Sequence, residues 1–379
     1  MNRPTRSKGF TDPDVTAEGE AFVSARQGVG QGIEYSPVEI PAPGEYAEVA
    51  PGILWLRIPM PMDLNHINLW LLADDDDDDE EGGAGWTLVD SGLNADLCKE
   101  TWTALAPKLF SERRLKRIFL THLHPDHVGL ARWLQDKHGA IAWMSERGLK
   151  LTQLLAREPS PTDIADAEAF MRGHGYADAE LITRFVSGKM YRSSISGVPD
   201  VVHSPVDGDS IRIGSTDWQV YETNGHAEGH QCLHDAKRRI LISGDQVLPT
   251  ISSNVSYSPR GTDRNPLASY LDSLARLGKL DDHTLVLPSH GRPFYGLKFR
   301  TADLVAHHRD HLAAMKSACA EPRTAFELVP VLFKRRLIGA HWMFAMGETI
   351  AHAEYLTQND ELTRETASDG LVRYVARAQ

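Results

Sequence analysis

Between Thr121 and Gly129 the chain reads T-H-L-H-P-D-H-V-G, placing His122, His124, Asp126 and His127 within six residues at the end of the apolar run KRIFLT. Imidazole and carboxylate are the ligand types that hold zinc, manganese or iron. On an extended segment His122 and His124 project to the same side, so both can grip one ion, while Asp126 and His127, beyond the turn at Pro125, can reach a second. Three further clusters share this placement. His226 and His230 lie in T-N-G-H-A-E-G-H after the strand-like DWQVYE, Asp245 closes L-I-S-G-D-Q, and His290 follows an apolar run in L-P-S-H-G. The candidate ligands follow strand-like segments, as in a metal site built from loops at one edge of a rigid sheet.

The elements that would position them are legible in outline. The runs GILWLRIP, HINLWLLA and WTLVDSG, rich in β-branched and aromatic residues and bounded by turn residues, predict strands of one meander. Between two of them the acidic run 74–81, with Gly82, Gly83 and Gly85, predicts a solvated hairpin loop. A helix is expected over 95–109, then the strand KRIFLT, then a helix carrying Val128, Leu130, Ala131 and Leu134 at helical spacing. Residues 145–195 read as an inserted helical cap, broken by Pro159, Pro161, Gly173 and Gly175. Strands return as SIRI, DWQVYE, RILISGD and HTLVLPSH, around a helix at 266–277. Strand clusters with helices between them predict stacked sheets covered by helices. Helices over 301–319, 324–333 and 342–357 and a hairpin turning at Asp369 and Gly370 follow, and two of these helices with the hairpin resemble a winged-helix module. The expected division is an N-terminal arm over 1–45, a catalytic body over 46–299 and a C-terminal domain over 300–379.

A chain of 379 residues is long enough for a full core and an accessory domain. Its 41% hydrophobic and 24% charged residues suit a globular protein, and no apolar run nears the roughly 20 residues needed to span a bilayer. No membrane association is expected. The N-terminus lacks the apolar stretch of a secretory signal, and three cysteines cannot form a disulfide framework, so a cytoplasmic location is expected. The net charge of −12 argues against a general nucleic-acid binder, since such affinity comes from Lys and Arg neutralising phosphates.

In order and spacing, HxHxDH, then GH, GD and SHG, the chain resembles the metallo-β-lactamase-fold hydrolase superfamily, and especially its glyoxalase II-like branch with two metals. The resemblance covers roughly residues 50–295. It implies an α+β, four-layer αββα sandwich with a helical insertion, to which the winged-helix-like module is appended as in one subgroup of these hydrolases. It implies that His122, His124 and His226 bind one metal, that Asp126, His127 and His290 bind another, and that Asp245 bridges them. Asp90, in LVDSG, matches the family's first motif and would orient ligand histidines from behind. The long gap from His127 to His226 departs from compact members and fits the cap; Asn224 and Glu228 stand where Pro is common, leaving both histidines in place.

Two divalent ions, zinc foremost with manganese or iron also suited, would lower the pKa of a bridging water and yield a hydroxide that attacks a carbonyl or phosphoryl centre. Asp126 would orient that nucleophile and accept its proton. His230 reads as a positioning or substrate residue, or as a buried hydrogen-bonding group. Asn254 and Tyr257, on the loop after Asp245, and Tyr191 in the cap are candidate substrate contacts. His307, His308 and His311 read as a solvated helix face. The leading functional expectation is hydrolysis of a thioester or carboxylic ester, including lactones, by a small-molecule acyl hydrolase. A phosphodiesterase or ribonuclease using the same site is the alternative. The last helix, HWMFAMGETIAHAEYLTQND, has no Lys or Arg for groove contacts, so the C-terminal module is expected to close the pocket or form a homodimer interface rather than bind DNA.

Overall fold

The computed structural model describes residues 32–75 and 83–377. Most of the N-terminal arm and of the acidic run lies outside the described residues. Strand β1 (Glu34–Tyr35) precedes β2 (Tyr46–Ala50), β3 (Ile53–Pro59), β4 (His66–Ala73) and β5 (Gly85–Val89). Helix α1 (Asp96–Leu109) leads to β6 (Arg114–Leu120), and α2 (Pro125–Val128) and α3 (Ala131–His138) lead to β7 (Ile141–Met144). Four helices intervene, α4 (Glu146–Ala156), α5 (Pro161–Gly173), α6 (Ala179–Val186) and α7 (Lys189–Ser193), before β8 (Val201–His203). Strands β9 (Ser210–Ile213), β10 (Thr216–Thr223), β11 (His230–Asp235) and β12 (Ile240–Gly244) are followed by α8 (Pro266–Leu277), β13 (Leu285–Pro288) and β14 (Phe294–Tyr295). The chain ends in α9 (Leu297–Ala318), α10 (Ala325–Leu332), α11 (His341–Gln358) and the hairpin β15 (Leu362–Thr366) and β16 (Val372–Ala376).

Two seven-stranded sheets form, one ordered β2-β3-β4-β5-β6-β7-β8 and the other β1-β14-β13-β12-β11-β10-β9. Alternation along the strands decides how they stack. In β3, Ile53 and Trp55 face a core shared with Trp218, Val220, Leu233 and Ile242 of the second sheet, whereas Leu54, Leu56 and Ile58 face a core shared with Trp102 and Leu105 of α1. In β12, Ile240 and Ile242 join the inter-sheet core while Leu241 faces Leu274 of α8 and Leu304 of α9. Both faces of each sheet are therefore covered, which is why these strands read as nearly unbroken apolar runs. The result is a mixed α+β, four-layer αββα arrangement, with α10, α11 and the last hairpin packed on the outer helical layer.

The start of the acidic run is placed differently from the expectation. Asp74, expected in a solvated loop, is fully buried. Its carboxylate accepts hydrogen bonds from Arg117, from the Thr87 hydroxyl at 2.5 Å and from Gly214 N–H at 3.0 Å. A buried carboxylate needs such partners, and Arg117 lies 43 residues along the chain. Among the described residues no helix is long and apolar enough to cross a membrane.

Candidate metal centre

Strands β5 and β6 run parallel, as do β12 and β13, so the loops that leave them emerge at common sheet edges. Asp90 follows β5, His122 and His124 follow β6, His226 follows β10, Asp245 follows β12 and His290 follows β13. Pro125 opens α2, whose first turn carries Asp126 and His127. Tight backbone geometry holds two of these loops. Gly244 has φ +52°, and a Cβ there would come within 2.4 Å of His230 Nε2; at Gly225, with φ +101°, a Cβ would meet Tyr270 Cβ at 2.4 Å.

The donor atoms converge in two groups. His122 Nε2 lies 2.9 Å from His124 Nδ1 and 3.3 Å from His226 Nε2, and His226 Nε2 is 3.4 Å from Asp245 Oδ2. His290 Nε2 lies 3.4 Å from both Asp126 Oδ2 and Asp245 Oδ1, with His127 Nε2 at 3.6 and 3.5 Å from the same atoms. Two ligands about 2.05 Å from one zinc at a tetrahedral angle lie about 3.3 Å apart. The spacing fits ions. The chemistry of the donors agrees, because the buried atoms His127 Nε2, His290 Nε2 and Asp245 Oδ1 have no hydrogen-bond partner, and buried polar atoms are seldom left so without a ligand.

Each imidazole is aimed by its other nitrogen or by its neighbours, as ligand histidines usually are. His226 Nδ1 donates to the Asn254 carbonyl at 2.9 Å and His290 Nδ1 to the His66 carbonyl at 2.8 Å. His127 Nδ1 donates to Asp90 Oδ2 at 2.7 Å. Thr121 Oγ1 donates to the Asp90 carboxylate and accepts from His122 Nδ1 at 3.0 Å, so one carboxylate orients two imidazoles. Asp90 does this with φ +63°, a backbone conformation that Asp tolerates better than most residues. His230 lies behind Asp245: its Nε2 accepts from Asp245 N–H at 3.2 Å, and its Nδ1 meets the Thr223 hydroxyl at 2.8 Å.

Residues 68–290 match the Metallo-beta-lactamase superfamily. The chain belongs to this superfamily. Residues 312–377 match the Metallo-beta-lactamase-like, C-terminal domain family. The crystal structure of a Beta-lactamase domain protein from Burkholderia ambifaria superposes with a TM-score of 0.84 and 37% identity, over 92% of this chain and 99% of that one. Among curated proteins, Bacillus subtilis (strain 168) YqjP, named a probable metallo-hydrolase, is 25% identical over 82% of this chain and 94% of its own length. The Gallus gallus acyl-coenzyme A thioesterase MBLAC2 is 28% identical over 64% of this chain and 79% of its own. This metallo-beta-lactamase superfamily member is a metal-dependent hydrolase, with His and Asp clusters able to hold metal.

Electrostatics divides its cluster. Burial, followed by the neighbouring imidazoles, holds His122 well below the ordinary histidine range, and burial with His226 takes His124 down to about 3. Both are neutral, with lone pairs available. Burial also opposes a charge on His127 and His290, but carboxylates outweigh it: Asp90, Asp126 and Asp245 hold His127 well above its usual value, and Asp245 and Asp126 take His290 up to about 10. With no cation present these two imidazoliums balance the carboxylates, and a bound cation would displace their protons.

The three candidate substrate contacts are placed differently. Tyr191 donates its hydroxyl to the Leu123 carbonyl at 2.8 Å, beside His122 and His124. Asn254 gives its carbonyl to His226 and its amide to Glu348 Oε2 at 2.9 Å. Tyr257 stacks on Phe170 of α5 at 5.9 Å and accepts from Arg264. Sequence reading missed Thr121, although it adjoins His122, and Ser253, whose hydroxyl donates to the Asp245 carbonyl. It also missed Glu348, which no local pattern marks.

Proposed function

We propose that this protein is a dinuclear acyl hydrolase of the glyoxalase II-like branch that cleaves thioesters, with zinc as the native metal. His122, His124 and His226 would hold one ion, Asp126, His127 and His290 the other, and Asp245 both. Bound there, the ions would supply Lewis acidity and a water reactive at neutral pH. Asp126 would orient such a water and accept its proton. Burial alone would raise the Asp126 carboxyl, but His127 and then His290 bring it to about 2. Asp90, Thr121 and His230 hold the reacting groups in register.

The observation that carries the acyl reading is a set of exposed apolar side chains on segments linked to the site. Met62, Met190 and Phe344 are 53%, 44% and 37% exposed. Each sits on a segment tied to the centre. Met62 lies in the β3–β4 loop, joined to α11 by Asp63 and His341 at 3.3 Å. Met190 adjoins Tyr191, and the Phe344 carbonyl is 3.5 Å from Asn254 Nδ2. Exposed apolar side chains on such segments would suit an acyl chain better than a polyanion. The thioesterase relative supports the same chemistry. On this reading the winged-helix-like C-terminal module closes the pocket, since α11 supplies both Phe344 and Glu348 and contains no Lys or Arg. The test is kcat/KM across acyl-coenzyme A chain lengths for the wild type and a Met62→Ser/Phe344→Ser variant. A chain-length preference that the variant flattens is expected; no dependence on chain length in the wild type would contradict the acyl pocket.

A further inference from the structure

Helix α9 carries His307, His308 and His311, and helix α11 carries Glu348 and His352. Spacings of three and four residues put these groups on one face of each helix. The two helices pack together and bring the faces into contact. His308, expected on a solvated face, is fully buried, as is His352, while Glu348 is 5% exposed and His311 half-buried. Donor atoms of His311, Glu348 and His352 lie within 4.8 Å of one another, and so do those of His307, His308 and Glu348.

Hydrogen bonding leaves this cluster incomplete. His352 Nδ1 donates to the Glu348 main-chain carbonyl at 2.8 Å, which leaves Nε2 as a lone pair. His308 Nδ1 donates to that Nε2 at 3.1 Å, the bond that an ion taking the lone pair would replace. His308 Nε2 and His311 Nδ1 are buried without a hydrogen-bond partner. The three histidines take no part in the hydrolytic site, and Glu348 touches it only through Asn254. The surroundings are apolar, with Leu304, Leu312, Met346 and Ile350 buried close by in sequence. Burial holds His308, His311 and His352 below the ordinary histidine range and Glu348 up at about 8, so the imidazoles offer lone pairs and the carboxyl lacks a counter-charge.

We propose that His311, Glu348 and His352 form an additional site for a divalent transition-metal ion of the zinc class, clamping α9 to α11. Two imidazoles and one carboxylate select such an ion over calcium or magnesium, which prefer all-oxygen shells. Inward Glu and His on facing helices are an established way of building metal sites into a bundle. Glu348 also accepts from Asn254, whose carbonyl fixes His226. An ion here therefore braces the C-terminal module against the loop that orients the hydrolytic ligands.

The test is an anomalous difference map at the zinc edge, from crystals of the full chain stripped by chelation and reloaded with Zn2+ in one-equivalent steps. The expected map has a peak between α9 and α11, about 2.0–2.2 Å from donors of His311, Glu348 and His352. It is separate from any peak among His122, Asp245 and His290. A fully loaded crystal with peaks among the hydrolytic ligands alone, or with none, would overturn the proposal. In solution, elemental analysis of folded His311→Ala/His352→Ala protein should count one zinc fewer per chain than the wild type. An unchanged count would overturn the proposal as well.

Discussion

Lowering the pH should weaken the two halves of the metal centre to different degrees. In the metal-free protein His290 is held up at about 10 and His127 well above its usual value, so both carry protons between pH 6 and 8. An ion bound by Asp126, His127 and His290 must displace both protons. Each displaced proton makes affinity change tenfold per pH unit, about 1.4 kcal/mol. Raising the pH from 6 to 8 should therefore tighten that ion about ten-thousand-fold. His122 and His124 are held neutral across the window and contribute no such slope to the other ion. The stability of the metal-free protein has the opposite sign. A histidine raised on folding stabilises fully below its unfolded pKa of about 6.5, and that contribution is lost as the pH rises through its folded value. The metal-free protein should lose stability from about pH 6.5 toward 10 while its affinity for ions grows. Titration calorimetry of chelator-stripped protein in buffers of different ionisation enthalpy counts the protons. Release of about two protons with one ion and distinctly fewer with the other is expected. Equal release for both ions would refute the assignment of charge to His127 and His290.

Other substitutions probe the supports. Asp90→Asn keeps the side-chain shape and tolerates φ +63°, but presents an amide donor to donors from His127 and Thr121; affinity for the ion beside His127 should fall about 10- to 100-fold by calorimetry, and unchanged affinity would remove Asp90 from its positioning role. Gly244→Ala forces a left-handed backbone on a residue with a Cβ and presses it against His230, so urea unfolding should show a loss of about 1–3 kcal/mol; a wild-type midpoint would contradict the close approach. His124→Ala and Asp245→Ala should each abolish turnover while leaving the circular dichroism spectrum intact, because the cores lie between and outside the sheets and the ligands lie at their rim. Wild-type-like activity in a metal-poor Asp245→Ala preparation would sink the two-ion mechanism.

What the sequence revealed and what it hid follow from the range of the interactions. The convergence of the candidate donor loops was legible because most follow a strand whose apolar run is itself a local signal, and because T-H-L-H-P-D-H-V-G concentrates four candidate donors. The C-terminal hairpin was legible from Asp369 and Gly370, and β15 and β16 pair from Thr366 opposite Val372 outward. The depth of the α9 histidines was not. Leu304 and Leu312 share its helix face, but the neighbouring Arg309 and Asp310 make the stretch read as charged, and the His352 ring that completes its burial lies 44 residues away. Asp74 was hidden for the same reason, because its membership of the acidic run says nothing of Arg117. The relay from His226 through Asn254 to Glu348 spans both C-terminal and catalytic elements and has no local signature.

The most direct test of the proposed function is the hydrolysis of acyl-coenzyme A thioesters by chelator-stripped protein, followed through reloading with one and then two equivalents of Zn2+, with single-stranded RNA as the competing substrate. Thioester turnover that is absent in stripped protein, rises to its full rate only after the hydrolytic ligands are loaded, and is lost in Asp245→Ala is the expected result. RNA cleavage without thioester turnover, or thioester turnover undiminished in stripped protein, would contradict it.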